Sequence, residues 1–172
     1  MISNVTTSDS SFRFKIEDYG ISRSDLAARK EIKYALSHAD LGKLRTLLAA
    51  NCRRLIHNEP VSTVRSVYFD DPRLSACRAN LHGLGRRRKL RLRWYDTILP
   101  DRDFFFEIKW RENRVTGKHR LQLASADPLH HWSYEQILYA LENTLPHRFL
   151  NDLWRYTEPV VLIEYKREHF AS

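Results

Sequence analysis

Between Lys89 and Tyr95 basic and apolar residues alternate without a break. Lys89, Arg91 and Arg93 fall on one side of an extended chain, and Leu90, Leu92 and Trp94 on the other, because successive side chains of a strand point to opposite faces. The same period returns in Phe104 to Arg111, where Glu107, Lys109 and Arg111 oppose Phe106, Ile108 and Trp110. It returns again in Lys118 to Leu123, with Lys118, Arg120 and Gln122 opposite Leu121 and Leu123. Pro100-Asp101 and Val115-Thr116-Gly117 read as the intervening turns. The pattern predicts three antiparallel strands, each apolar behind and charged in front.

Further elements flank this sheet. Val64 to Phe69 is rich in β-branched and aromatic residues and stops at Asp70-Asp71-Pro72, where proline suits the first turn of a short helix carrying Leu74, Cys77 and Leu81. Val160 to Tyr165 predicts a last strand, with Tyr165 and Arg167 on one side. Glu31 to Tyr34 alternates briefly, Glu31 and Lys33 sharing a side, and is ambiguous between strand and helix. Capping boxes at Ser37 to Asp40 and Ser133 to Gln136 predict two helix starts. The first precedes Leu41, Leu44, Leu48 and Leu55 on one helical face, with Pro60 beyond; the second precedes the stripe Tyr134, Ile137, Leu138 and Leu141. Pro146 then opens a short helix through Leu150 and Leu153. Residues 1–11 read as a disordered leader and 12–172 as one α+β domain.

Composition changes the picture through charge. The 172 residues hold 29 Lys and Arg against 21 Asp and Glu, a net charge of +8, which points to an anionic partner: nucleic acid, a phosphate polymer or an acidic membrane. No apolar run approaches the roughly 20 residues of a membrane span, and Met1 to Ser11 has neither the basic nor the apolar region of a signal peptide. Cys52 and Cys77 lack metal-ligand spacing and read as buried thiols in a reducing, cytoplasmic compartment. His130-His131 reads as a surface helix start, Asp70-Asp71 as a turn and cap, and Arg86-Arg87-Arg88 as a solvated loop entering the basic strand. Solvated sheet faces usually mix Thr, Ser, Gln and Glu with their lysines. Here arginine dominates several strands, and its planar fork suits bidentate phosphate contact. Strands sharing such a face predict a cation-lined interior.

At these strands the chain resembles the VTC domain, the polyphosphate polymerase branch of the triphosphate tunnel metalloenzymes. The resemblance rests on Glu31-Ile-Lys-Tyr34, Ser66-Val-Tyr-Phe-Asp70, Arg91-Leu-Arg-Trp-Tyr95, Phe106-Glu-Ile-Lys109 and Tyr165-Lys-Arg-Glu-His-Phe170. It implies an antiparallel β-tunnel or barrel with flanking helices, a divalent metal (Mn²⁺ or Mg²⁺), and transfer of the γ-phosphate of ATP onto a polyphosphate chain. Carried over by position, Lys33, Arg91, Arg93, Lys109, Lys118 and Arg167 would bind phosphate, with Arg91, Arg93 and Lys109 closest to the chemistry. Glu107 would either hold a basic neighbour in place or approach the metal, and Glu31 is a second metal candidate. The family pattern continues past the Tyr165 strand, so an incomplete tunnel is expected, its closing strands and principal metal glutamate lying beyond Ser172. Two alternatives stay open: a non-catalytic subunit or sensor that binds ATP, triphosphate or polyphosphate, and a nucleic-acid-binding module. A membrane-protein partner also stays open.

Overall fold

The computed structural model describes residues 13–20, 33–56 and 59–171. In chain order these form β1 (Lys15–Gly20), α1 (His38–Asn51), β2 (Arg53–Leu55), β3 (Ser62–Asp70), α2 (Ser75–Leu81), β4 (Arg86–Tyr95), β5 (Asp103–Glu112), β6 (Val115–Ala124), α3 (Tyr134–Thr144), α4 (His147–Arg155), β7 (Glu158–Arg167) and β8 (His169–Ala171). Six strands make one antiparallel sheet in the order β1-β6-β5-β4-β3-β7, and β2 pairs with β8 in a separate ribbon. The α+β class expected from sequence is present. Among the described residues the sheet is open rather than closed into a tunnel, with β1 and β7 at its edges.

The core lies on one face of this sheet. Leu90, Leu92, Trp94, Phe104, Phe106, Ile108, Leu121 and Leu123 project from β4, β5 and β6 into one cluster with Ala140 and Leu141 of α3 and Phe149, Leu150 and Leu153 of α4. Both helices begin where local chemistry starts them. Ser133 accepts from the Gln136 N–H while the Gln136 side chain accepts from the Ser133 N–H, and Pro146 caps α4. A partly exposed ion pair ties the layers: Arg88 Nη1 lies 2.7 Å from Asp152 Oδ2 of α4. With the apolar side chains consumed by the helices, the alternate residues must face away from them.

Several sequence expectations need correction. Val115-Thr116-Gly117 is not a turn but the start of β6, and the reversal falls at Asn113, which adopts a left-handed φ of 54°. Gly117 is needed inside the strand because the Trp110 indole lies over it; a Cβ there would sit 2.2 Å from Trp110 Cζ2. Gly117→Ala is therefore expected to cost about 1–3 kcal/mol through forced displacement of the indole. Urea denaturation would read it, and an unchanged midpoint would show that the contact constrains nothing. Leu55 does not continue the helical stripe: α1 stops at Asn51, Leu55 belongs to β2, and no α1 residue is buried.

Helix α2 starts at Ser75, later than Pro72 implied, with Leu74 left-handed at its N-cap (φ 55°). The cause is acidic capture. Asp70 accepts hydrogen bonds from the N–H groups of Asp71, Ala76 and Cys77, and Asp71 from those of Arg73 and Ser75, so the pair is a cap, as expected. Cys52 is half-buried and Cys77 exposed, so neither is the buried thiol expected. Arg86 to Arg88 belong to β4 and not to a loop. Lys33 and Tyr34 lie outside any strand. Residues 1–11 and Glu31 lie outside the described residues. β1 had no sequence signal; it is held by pairing with β6, beside Phe14 packed edge-on to Phe104 and stacked on Trp132.

Candidate functional site

The face of the sheet turned away from α3 and α4 carries the cations in register. Directly opposed residues of antiparallel strands share a face, so the pairings define rungs. One rung is Lys89 (β4), Lys109 (β5) and Lys118 (β6); the next is Tyr68 (β3), Arg91 (β4), Glu107 (β5) and Arg120 (β6); a third is Ser66, Arg93 and Phe105. Arg87 and Arg111 pair at the outer end. The strand alternation read from sequence thus places Arg91, Arg93, Glu107, Lys109 and Lys118 on one surface.

Glu107 organises the middle of it. The residue is 0% exposed. Arg91 Nε donates to Glu107 Oε2 at 2.7 Å and Arg91 Nη1 to the Tyr68 hydroxyl at 2.6 Å. Arg93 Nη1 stands 3.6 Å from the same carboxylate oxygen, while Arg93 Nε donates to Ser66 Oγ at 3.0 Å. Arg120 lies over the Phe105 ring, 3.7 Å from its centroid, donates to the Tyr95 hydroxyl at 3.2 Å, and brings Nε to 3.4 Å from Glu107 Oε1. One carboxylate therefore fixes three guanidinium groups.

The electrostatics follow from this crowding. Burial pushes the Glu107 carboxyl up, but Arg91 and Arg93 beside it more than offset that, and its pKa lies below the ordinary 4.5. Burial lowers the Lys118 ammonium, and Arg120 and Arg91 lower it further; Glu107 only partly offsets them. The guanidinium of Arg91 loses by burial and gains more from Glu107, so it is held protonated. By contrast, Lys89, Lys109 and Lys118 have no carboxylate within ion-pair distance among the described residues. Like charges directly opposite one another destabilise a sheet. A rung of three lysines beside the arginine cluster is a surface short of negative charge.

The residues that define this surface lie within one family match: the VTC domain, over residues 28–172. The chain belongs to the VTC domain family. No curated protein matches it.

Other residues of the VTC domain carried over by position spread around this centre. Lys33 lines a cleft of about 280 Å³ with Arg87, Lys89, Lys109 and Arg111. Arg167 faces Ser62 at the β7 edge, and its Nε is buried without an acceptor among the described residues. Lys109 is exposed, whereas the Arg93 side chain is 7% exposed. Alternation gives Arg93 to the cation-lined side expected to face a ligand, and there its guanidinium is enclosed between Glu107 and Ser66.

Of the two roles open to Glu107, the geometry fits the clamp. One oxygen is bonded by Arg91; the other has no hydrogen-bond partner, but the cation nearest it is Arg120. Three guanidinium groups around one carboxylate do not fit a bare divalent ion, and no group of three His, Cys, Asp or Glu side chains converges among the described residues. Sequence reasoning left Arg120, Tyr68 and Ser66 without roles. Arg120 shares the charged face of its strand, but Tyr68 and Ser66 join the site only through pairing with β4. No helix among the described residues is long and apolar enough to cross a membrane.

Proposed function

We propose that this VTC domain binds triphosphate and polyphosphate on the charged face of its sheet and serves as a polyphosphate polymerase, moving the γ-phosphate of ATP to a polyphosphate end. The observation that carries the reading is the unneutralised Lys89-Lys109-Lys118 rung beside three arginines fixed by Glu107. A linear polyanion supplies the missing charge at the spacing of the strands.

Phosphoryl transfer asks little covalent chemistry of the protein. It needs in-line positioning and neutralisation of charge on the transferring group. A terminal polyphosphate oxygen attacks the γ-phosphorus, the bond from that phosphorus to the β,γ-bridging oxygen breaks, and ADP leaves with the bond's electrons. Arg91 and Lys109 would hold the transferring phosphoryl group, with the enclosed Arg93 adding its charge from within the cluster and Lys33, Lys118 and Arg167 along the chain of phosphates. Because the guanidinium groups of Arg91 and Arg93 are already fixed, little ordering is needed when the anion arrives. Mn²⁺ or Mg²⁺ would enter on the phosphate oxygens, since Glu107 is taken by arginine. The group's contribution would be further charge neutralisation.

A second reading, a polyphosphate-binding subunit without catalysis, draws on the same cation ladder, which can hold phosphate without transferring it. A nucleic-acid module is less well supported, because Trp94 is buried in the core, opposite the arginines. Tryptophan fluorescence titration with tripolyphosphate, with and without Mn²⁺, tests binding. Saturable binding that weakens with salt is expected, and single-stranded RNA outcompeting tripolyphosphate would refute the reading. Incubation with ATP and Mn²⁺ then separates the two phosphate readings: long-chain polyphosphate marks a polymerase, and tight binding without product marks the subunit.

A further inference from the structure

Beside the charged face lies a cavity of different character. It measures about 500 Å³ and is walled by Leu74, Cys77 and Leu81 of the α2 region, Tyr68 of β3, and Val161 and Ile163 of β7. That volume falls in the range of small-molecule sites. Leu81 is 80% exposed and Val161 46%, so these apolar groups face solvent rather than the core.

The cavity is continuous with the phosphate surface. Lys89 and Asn80 line both it and the basic cleft, and the Tyr68 hydroxyl in its wall bonds Arg91. Its polar groups are few. Asp70 is consumed by three backbone N–H groups. Asn80 donates its Nδ2 to the Ala76 carbonyl at 2.7 Å, which leaves its side-chain oxygen as an acceptor at the boundary. An apolar chamber with one amide and one lysine at the edge of a cation ladder fits a ligand with a flat, weakly polar end joined to a highly charged one. Phosphate alone has no use for it.

We propose that this cavity holds the nucleoside of a nucleoside triphosphate whose phosphates lie on Lys89, Lys109 and Arg91. The inference rests on the phosphate-binding reading above and adds what that reading lacks, a place that distinguishes a nucleotide from inorganic polyphosphate. Cys77, exposed in the cavity wall, reports occupancy.

The test alkylates the intact protein with N-ethylmaleimide and follows the Cys77 peptide by mass spectrometry, with Cys52 as internal control. Saturating ATP is expected to slow alkylation of Cys77 at least about tenfold, as burial of a base against the thiol requires, while saturating tripolyphosphate leaves the rate unchanged. Cys77→Trp, which fills the chamber, should weaken ATP binding about tenfold and leave tripolyphosphate binding as it was. ATP that binds without protecting Cys77, or protection by both ligands alike, overturns the nucleoside site while sparing the phosphate reading. Failure of tripolyphosphate to bind at all overturns the phosphate reading itself.

Discussion

Glu107→Gln is expected to destabilise the protein by about 3–5 kcal/mol, the cost of removing one partner from a buried charge cluster. The substitution keeps shape and removes the one charge that Arg91, Arg93 and Arg120 converge upon. The urea midpoint reads the loss. Tripolyphosphate should restore more stability to the variant than it adds to the native protein, since an anion on that face replaces the missing charge and binding to the folded state alone stabilises it. A variant as stable as the native protein would show that Glu107 does not organise the cluster. The pH dependence has a definite sign. A carboxyl held below its ordinary 4.5 contributes stability that is complete above that value and lost as pH falls through the folded-state pKa. The native protein should therefore show an acid-induced loss below about pH 4.5 that Glu107→Gln lacks.

Arg91 and Arg93 should respond differently to truncation. Arg91→Ala is expected to weaken tripolyphosphate binding about tenfold to a hundredfold, the worth of a charge-assisted contact, and, because Arg91 is the closest cation to Glu107, to cost some stability as well. Its side chain is 15% exposed and borders the open face. Arg93→Ala is expected to cost about 3 kcal/mol of stability first, because its 7% exposed guanidinium is enclosed between Ser66 and Glu107. Urea denaturation and fluorescence titration of both variants separate the two effects. Arg91→Ala binding tripolyphosphate with native affinity would remove Arg91 from the site.

Why the two arginines part company shows where sequence reasoning reaches its limit. Alternation puts Arg91 and Arg93 on one face equally, because the two-residue period is a property of a single strand. Enclosure is a property of neighbours. Ser66 and Tyr68 meet these arginines only because β3 pairs with β4 in one particular register, and no local pattern states that register. Similarly, Gly117 lies inside β6 beneath the Trp110 ring and the turn falls at the left-handed Asn113; the Gly117–Trp110 approach is a contact between strands. β1 carries no alternation of its own and exists through its pairing with β6.

By itself the sequence determined the strands with one basic face, the two capped helix starts, the excess of cations and the family motifs, since each depends on neighbours within a few residues. Only the tertiary structure decided that Glu107 serves as a clamp for three arginines, that the Lys89-Lys109-Lys118 rung is left unneutralised, and that an apolar cavity adjoins it. The physical reason is that charge balance and burial are set by which strands lie side by side. That is a sum over residues far apart in the chain.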